Sequence, residues 1–447
     1  MRLLTRSNLH ILPLILFFIF VLLPLVSTFS YDYHNHQRIW QITLLVLICT
    51  IMLLKLTSNK NITFFIEKKT VYLFILLLLL GSLSAVLSNE PIFSLMYVMH
   101  FFFLVNLLLY ATTIKTKNSI LFFIYLLVAS HSALLLICFL NILFSLADNN
   151  PPNAYIVYSG FINIRHFNHL QIFILPLLLL LMRIPNIKKI VIFMIGLNIY
   201  LLFIGQARGA LLSWFSCLLF IYLTNPSFKK QCKAALLISL ISLLIFIFIE
   251  LAFNTNIISI KTSSSGRITM WLGILTELNF SHLLFGNGPG IFGFRLSDRG
   301  PFSHPHNFII EILNEWGAVA LFTLLYLITS TIKKAVKYLS MHHKDIITAS
   351  LFYSWLSGCI YSLFSGILVM PVPQTLFFIL WGLIYARIQT NLTISPIKKM
   401  WSKFLAVLFI CLFFIFYLSN SYYFYNLINT DEGYTHGPRF WSVGKRS

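Results

Sequence analysis

Two histidines flank a proline in Ser-His-Pro-His-Asn (303–307), and the FIIEILNEWG that follows continues as a helix entering the membrane. A neutral imidazole can accept a proton from a hydroxyl near neutral pH, which makes His304 or His306 a candidate general base. On that helix Asn307, Glu311 and Glu315 are spaced by four and share a face. A metal reading needs a further ligand such as Asp298 or Glu311, and a His pair that only shapes the turn stays open. Glu311 with Asp298 would be the carboxylate pair of a glycosidase, but no spacing argues for it.

Arginine supplies the complementary chemistry. Arg208 sits in the tight turn QARGA (206–210) between two apolar runs, at or just inside the membrane boundary, where a charge is costly unless paired or solvated. It either snorkels to the interface or holds an anion there, and a lipid-linked phosphate fits that depth. Arg267 follows Ser-Ser-Ser-Gly and precedes the helical pattern ITMWLGIL, so it stands at an expected helix N-terminus, whose free N–H groups also favour anions. A solvated loop arginine is the alternative. Arg165, beside His166 and His169, is a third candidate. The glycines of GNGPG (286–290), Gly286 and Gly288 among them, lack the Lys-Ser/Thr of a phosphate loop, which argues against ATP. They permit a tight turn or a close backbone approach to a ligand.

These residues have to be positioned by membrane helices. With 58% hydrophobic residues, 10% charged and a mean hydropathy of +0.86, the chain lies outside the range of soluble domains. Apolar runs fall near 10–30, 39–57, 70–88, 92–112, 119–145, 167–182, 190–205, 209–224, 234–252, 316–332, 347–366, 372–387 and 404–424, predicting an all-α polytopic bundle of about 12–14 transmembrane helices. The whole chain, 1–447, reads as one integral membrane domain, the first span as a retained helix. With the N-terminus inside, 22 of the 32 Lys and Arg residues face the cytoplasm, while ten of the 12 acids fall on or near the outer side. The net charge of +20 therefore reports topology and gives no reason to expect a nucleic-acid partner. The outer cations are Arg38, Arg165, Arg208, Lys261, Arg267, Arg295, Arg299, Arg439, Lys445 and Arg446; Arg dominates, as suits bidentate grip on phosphate or carboxylate. The six Cys fall in spans or on the inner side, so no outer disulfide and no metal spacing is expected. The longest polar stretch, 253–316, is the expected periplasmic catalytic loop, and 425–447 an outer tail whose GPRFW has no assigned role. Trp271, Phe292, Phe294, Phe302, Phe440 and Trp441 could stack on sugar faces near such a site.

Arg in a tight outer turn, Arg-x-x-x-Trp (RITMW), a Gly-x-Gly turn and then His-Asn leading a helix with Glu and Gly resembles the O-antigen ligase and polymerase superfamily of bacterial envelopes. The resemblance covers about 160–330. The ligase pattern reads here as His306, Asn307 and Gly317, with Ala320 where a Gly, Thr or Tyr would close it. The resemblance implies a GT-C-like bundle in the inner membrane and a metal-independent, inverting glycosyltransferase at its periplasmic face, without a cofactor. The donor would be a glycan on undecaprenyl diphosphate, and the acceptor a hydroxyl of lipid A-core for a ligase or another lipid-linked repeat for a polymerase. Superfamily members also glycosylate pilins. His306, Arg208 and Arg267 would be catalytic, with Arg165, His304, Asn307, Gly286, Gly288 and Glu311 around the substrate. A transporter or flippase would instead place charges mid-span in matching halves, and a purely structural protein would need none of these groups.

Overall fold

Within hydrocarbon, backbone N–H and C=O groups find no water, so long apolar runs must satisfy them internally as helices. The computed structural model describes residues 13–25, 33–58, 61–158, 161, 164–254, 266–292, 303–389, 392–394, 399–428, 434–435, 440–441 and 444–445. Its helices are α1 (Ile15–Val21), α2 (Tyr33–Thr57), α3 (Lys68–Val86), α4 (Pro91–Thr112), α5 (Lys117–Ala147), α6 (Ala154–Val157), α7 (Ile164–Leu181), α8 (Lys188–Ile204), α9 (Arg208–Thr224), α10 (Lys229–Ala252), α11 (Arg267–Thr276), α12 (Phe280–Phe285), α13 (Phe308–Met341), α14 (Ile346–Tyr361), α15 (Pro371–Ile388) and α16 (Met400–Ile428).

Among the described residues ten helices are long and apolar enough to cross a membrane: α2, α3, α4, α5, α7, α8, α10, α13, α15 and α16. Shorter apolar helices at Ile15–Leu25, α9 and α14 occupy the other expected spans. The protein is an all-α, multi-pass membrane bundle. Strand pairing is limited to β1 (Ile62–Phe64) with β2 (Leu392–Ile394), antiparallel with Ile62 opposite Ile394, and the short pair β3 (Tyr434–Thr435) with β4 (Gly444–Lys445). One element differs from the reading of 253–316 as a loop. It contains α11, α12 and the first turns of α13, and 255–265 and 293–302 lie outside the described residues.

The chain divides into two compact units. The first comprises Met1–Gln37, Thr116–Ser263 and Ala335–Ile367. Its centre is α7, buried at every residue from Phe167 to Leu181 and packed on α5, α8, α9 and α14. Helices without a hydrophobic driving force between them approach through small residues and hydrogen bonds. Gly358 of α14 accordingly sits on the Phe173 ring, where a Cβ would come within 2.4 Å, and Ser354 Oγ donates to Phe173 O at 2.6 Å. The second unit comprises Arg38–Lys115, Ser264–Lys334 and Leu368–Ser447. There α15 is the buried centre, and at Gly382 it lies against α4, where a Cβ would come within 2.3 Å of Leu108 O. Trp381 Nε1 donates to Thr331 Oγ1 at 2.9 Å, tying α15 to α13.

Candidate functional site

In the second unit the three polar motifs of the 253–316 region are brought together by their own apolar residues. Gly266, with φ 76°, lets the chain turn into α11, so Arg267 is its first residue, as its sequence context predicts. Met270 and Ile274, one helical face of α11, are buried with Phe292 just beyond GNGPG, and Trp271 and Ile310 pack against them. Trp271 Nε1 also donates to Pro305 O at 2.7 Å. RITMW therefore pins the His-Pro-His turn, with Arg267 one helical turn before the pinning residue.

Within that turn the His304 and His306 rings lie 4.0 Å apart, centroid to centroid. The His306 backbone N–H donates to His304 Nδ1 at 3.2 Å, which makes Nδ1 an acceptor and places the proton of a neutral His304 on Nε2. His304 is buried and His306 half-buried. His306 has φ 55°, in the left-handed region that side chains other than Gly and Asn adopt at a cost. Asn307 Oδ1 accepts from the N–H groups of Ile309 and Ile310 at 2.9 and 3.3 Å, so this side chain caps α13.

GNGPG meets the protein's own backbone. Gly286 (φ 81°) and Gly317 (φ 84°) cross so closely that a Cβ on the first would lie 2.3 Å from Glu315 O and one on the second 2.2 Å from Leu284 O. Asn287 N and Gly288 N donate to Asn314 O and Glu315 O at 2.8 and 3.0 Å. The Glu315 carboxylate accepts from Gly290 N at 2.9 Å and Phe292 N at 3.3 Å. Gly286 stands at this crossing and Gly288 packs against Ser88 and Ser94, and Gly317 breaks α13 where the loop passes.

Glu311 is half-buried and lines a cavity of about 100 Å³ with Glu315, Trp316, Arg38, His100, Gln374 and Phe440. Arg38 is the group sequence reasoning missed. It was placed just outside a span but lies inside α2, 1% exposed. Its Nε donates to Phe440 O at 2.8 Å, Nη1 to Gln41 and Gln374 side-chain oxygens, and Nη2 to Val369 O. The Phe440 ring lies 4.6 Å from the guanidinium carbon and edge-on to His100. A polar residue inside a span is expensive unless partnered, and Arg38 with Gln41 one turn on, His100 and Gln374 was the available signal.

The first unit holds the other two expected cations. Arg208 is the exposed first residue of α9. Arg165, in the first turn of α7, reaches the same turn through Nη1 to Gln206 O at 3.5 Å. His166 Nδ1 bonds the Tyr33 hydroxyl, and His169 Nε2 bonds Ser365 Oγ at 2.7 Å. Arg165 thus joins the turn of Arg208, and Arg267 the turn of His306, in separate units. Asp298, Arg295, Arg299, Lys261, Arg439, Arg446, Phe294 and Phe302 lie outside the described residues. Among the described residues no group of three or more His, Cys, Asp or Glu could hold a metal. No family model matches the chain, and no curated protein or solved structure matches it either.

Proposed function

We propose that the protein is a glycosyltransferase working at the periplasmic face of the inner membrane, which moves a glycan from undecaprenyl diphosphate to a sugar hydroxyl, of the O-antigen ligase or polymerase kind. The observation that carries the reading is the Trp271–Pro305 hydrogen bond, which fastens the arginine-bearing helix to the strained His306 turn. His306 takes the proton of the acceptor hydroxyl as its oxygen attacks the anomeric carbon. The bond from that carbon to the diphosphate oxygen breaks, its electron pair leaves with the diphosphate, and configuration inverts. Arg267, charged and at a helix N-terminus, meets the negative charge that builds on the leaving group. Arg208 enters the same role from the resemblance and its exposed position. The donor arrives already activated, which suits a chain whose glycine turn holds no phosphate-loop sequence.

Lipopolysaccharide from the native host, with this gene deleted and then restored by wild type or His306→Ala, tests the reading on a gel. Bare lipid A-core with polymer held on the carrier means ligase. Core bearing one repeat means polymerase. A ladder unchanged by deletion overturns both.

A further inference from the structure

Three loops distant in sequence meet at one end of the first unit: 182–188 after α7, 225–228 after α9 and 342–345 after α13. Arg183 Nη1 donates to Ser227 O at 3.4 Å, and Ser227 Oγ donates to His343 O at 2.8 Å. Asn225 Oδ1 holds the middle loop by accepting from Ser227 N at 3.1 Å, and the Arg183 guanidinium lies 5.7 Å from the Phe228 ring centre. The loops thus form one platform. Its surface carries Lys188, Lys189, Lys229, Lys230, Lys233 and Lys344, all exposed.

None of these six forms an ion pair among the described residues. Asp345, the acid at this end, already accepts from the hydroxyls of Tyr338 and Thr348 and from Thr348 N. Lysines of the second unit are engaged differently: Lys334 pairs with Glu67 at 2.6 Å and Lys69 donates to Tyr326 OH at 2.7 Å. Retention of positive charge explains the sign at this end. It leaves open why three loops are knitted into one surface whose ammonium groups stay unneutralised.

The collar beneath the lysines answers that. Ile190 and Leu223 are 62% and 69% exposed, and Leu236 and Met341 are exposed with them, Ile190 next to Lys189 on α8 and Leu236 within a turn of Lys233 on α10. Charge and hydrocarbon-facing side chains meet at the depth where a headgroup joins its acyl chains. We infer that this platform is a binding site for anionic phospholipid, taking more than one headgroup phosphate at once, with acyl chains along the exposed faces of α8 and α10. Each lysine near such a surface contributes about fivefold in binding. The site stands apart from the proposed glycan transfer, and neither depends on the other.

Native mass spectrometry of the full chain purified in detergent, with added cardiolipin, phosphatidylglycerol, phosphatidylethanolamine or inorganic phosphate, reads it directly. Cardiolipin and phosphatidylglycerol are expected to stay bound under activation that strips phosphatidylethanolamine. Combining Lys188→Gln, Lys189→Gln, Lys229→Gln, Lys230→Gln and Lys233→Gln should weaken retention at least about tenfold. The same five changed to Arg should keep it, and Lys399→Gln with Lys403→Gln, in the second unit, should leave it unchanged. Wild-type protein that holds phosphatidylethanolamine as firmly as the anionic lipids overturns the inference. Displacement of the lipids by inorganic phosphate also overturns it, assigning the platform to the free ion.

Discussion

His306 combines a left-handed backbone, a neighbouring imidazole and a turn pinned by Trp271, and these separate its chemistry from its contribution to stability. Its φ of 55° costs about 1–3 kcal/mol in a residue with a Cβ. His306→Gly should therefore fold at least as stably as wild type by thermal unfolding, while transfer falls about 10²- to 10⁴-fold from loss of the base. Loss of fold and activity together would make His306 structural. Arg208→Lys keeps the charge and loses the planar fork, so transfer should drop clearly if diphosphate is gripped by two N–H groups. Full activity would leave Arg208 as a residue that only reaches the interface. Arg208 stood out in the sequence because a charge between apolar runs needs a reason, and His306 because its Ser-His-Pro-His-Asn leads directly into a helix. Arg38 was not, since one position at the edge of a span decides whether an arginine is solvated or buried, and its partners come from α2, α4, α15 and the tail.

Among the elements, the crossing of GNGPG with the break in α13 sets the geometry of the site. Gly317→Ala meets both a positive φ and backbone within 2.2 Å, so unfolding temperature should fall, with a cost of about 2 kcal/mol or more. Glu311 and Glu315 share a face of α13 and both line the cavity, and the Glu315 carboxylate also accepts two backbone N–H groups. Glu315→Gln should cost stability of about 1–3 kcal/mol. Thermal unfolding of the Glu315→Gln protein checks this, and an unchanged unfolding temperature would contradict it. The helix α12 was hidden inside an expected loop, while α11 was marked by the helical pattern ITMWLGIL. The 6 residues of α12 give too few turns for apolar periodicity to stand out, whereas Gly266 before Arg267 marked the start of α11.

For the molecule as a whole, the all-α membrane bundle was plain from composition and spacing, because lipid leaves a long apolar run no other structure. The division into two units was not, since it depends on which helices pack together and each unit gathers three separate stretches of chain. Nor was the role of the tail. Phe440 and Trp441 are buried, and Phe440 gives Arg38 an acceptor and an aromatic face. Truncation before Phe440 should lower unfolding temperature by a cost on the order of 2 kcal/mol, with the membrane topology kept. The central claim is that His306 is the base for glycan transfer. Purified protein in lipid, given an undecaprenyl-diphosphate-linked glycan and a lipid A-core acceptor, measures it as the rate of new glycosidic bond formation. Wild type is expected to transfer glycan, with a loss of about a hundredfold or more in a stably folded His306→Gly protein; equal rates from the two would remove His306 from the role of base.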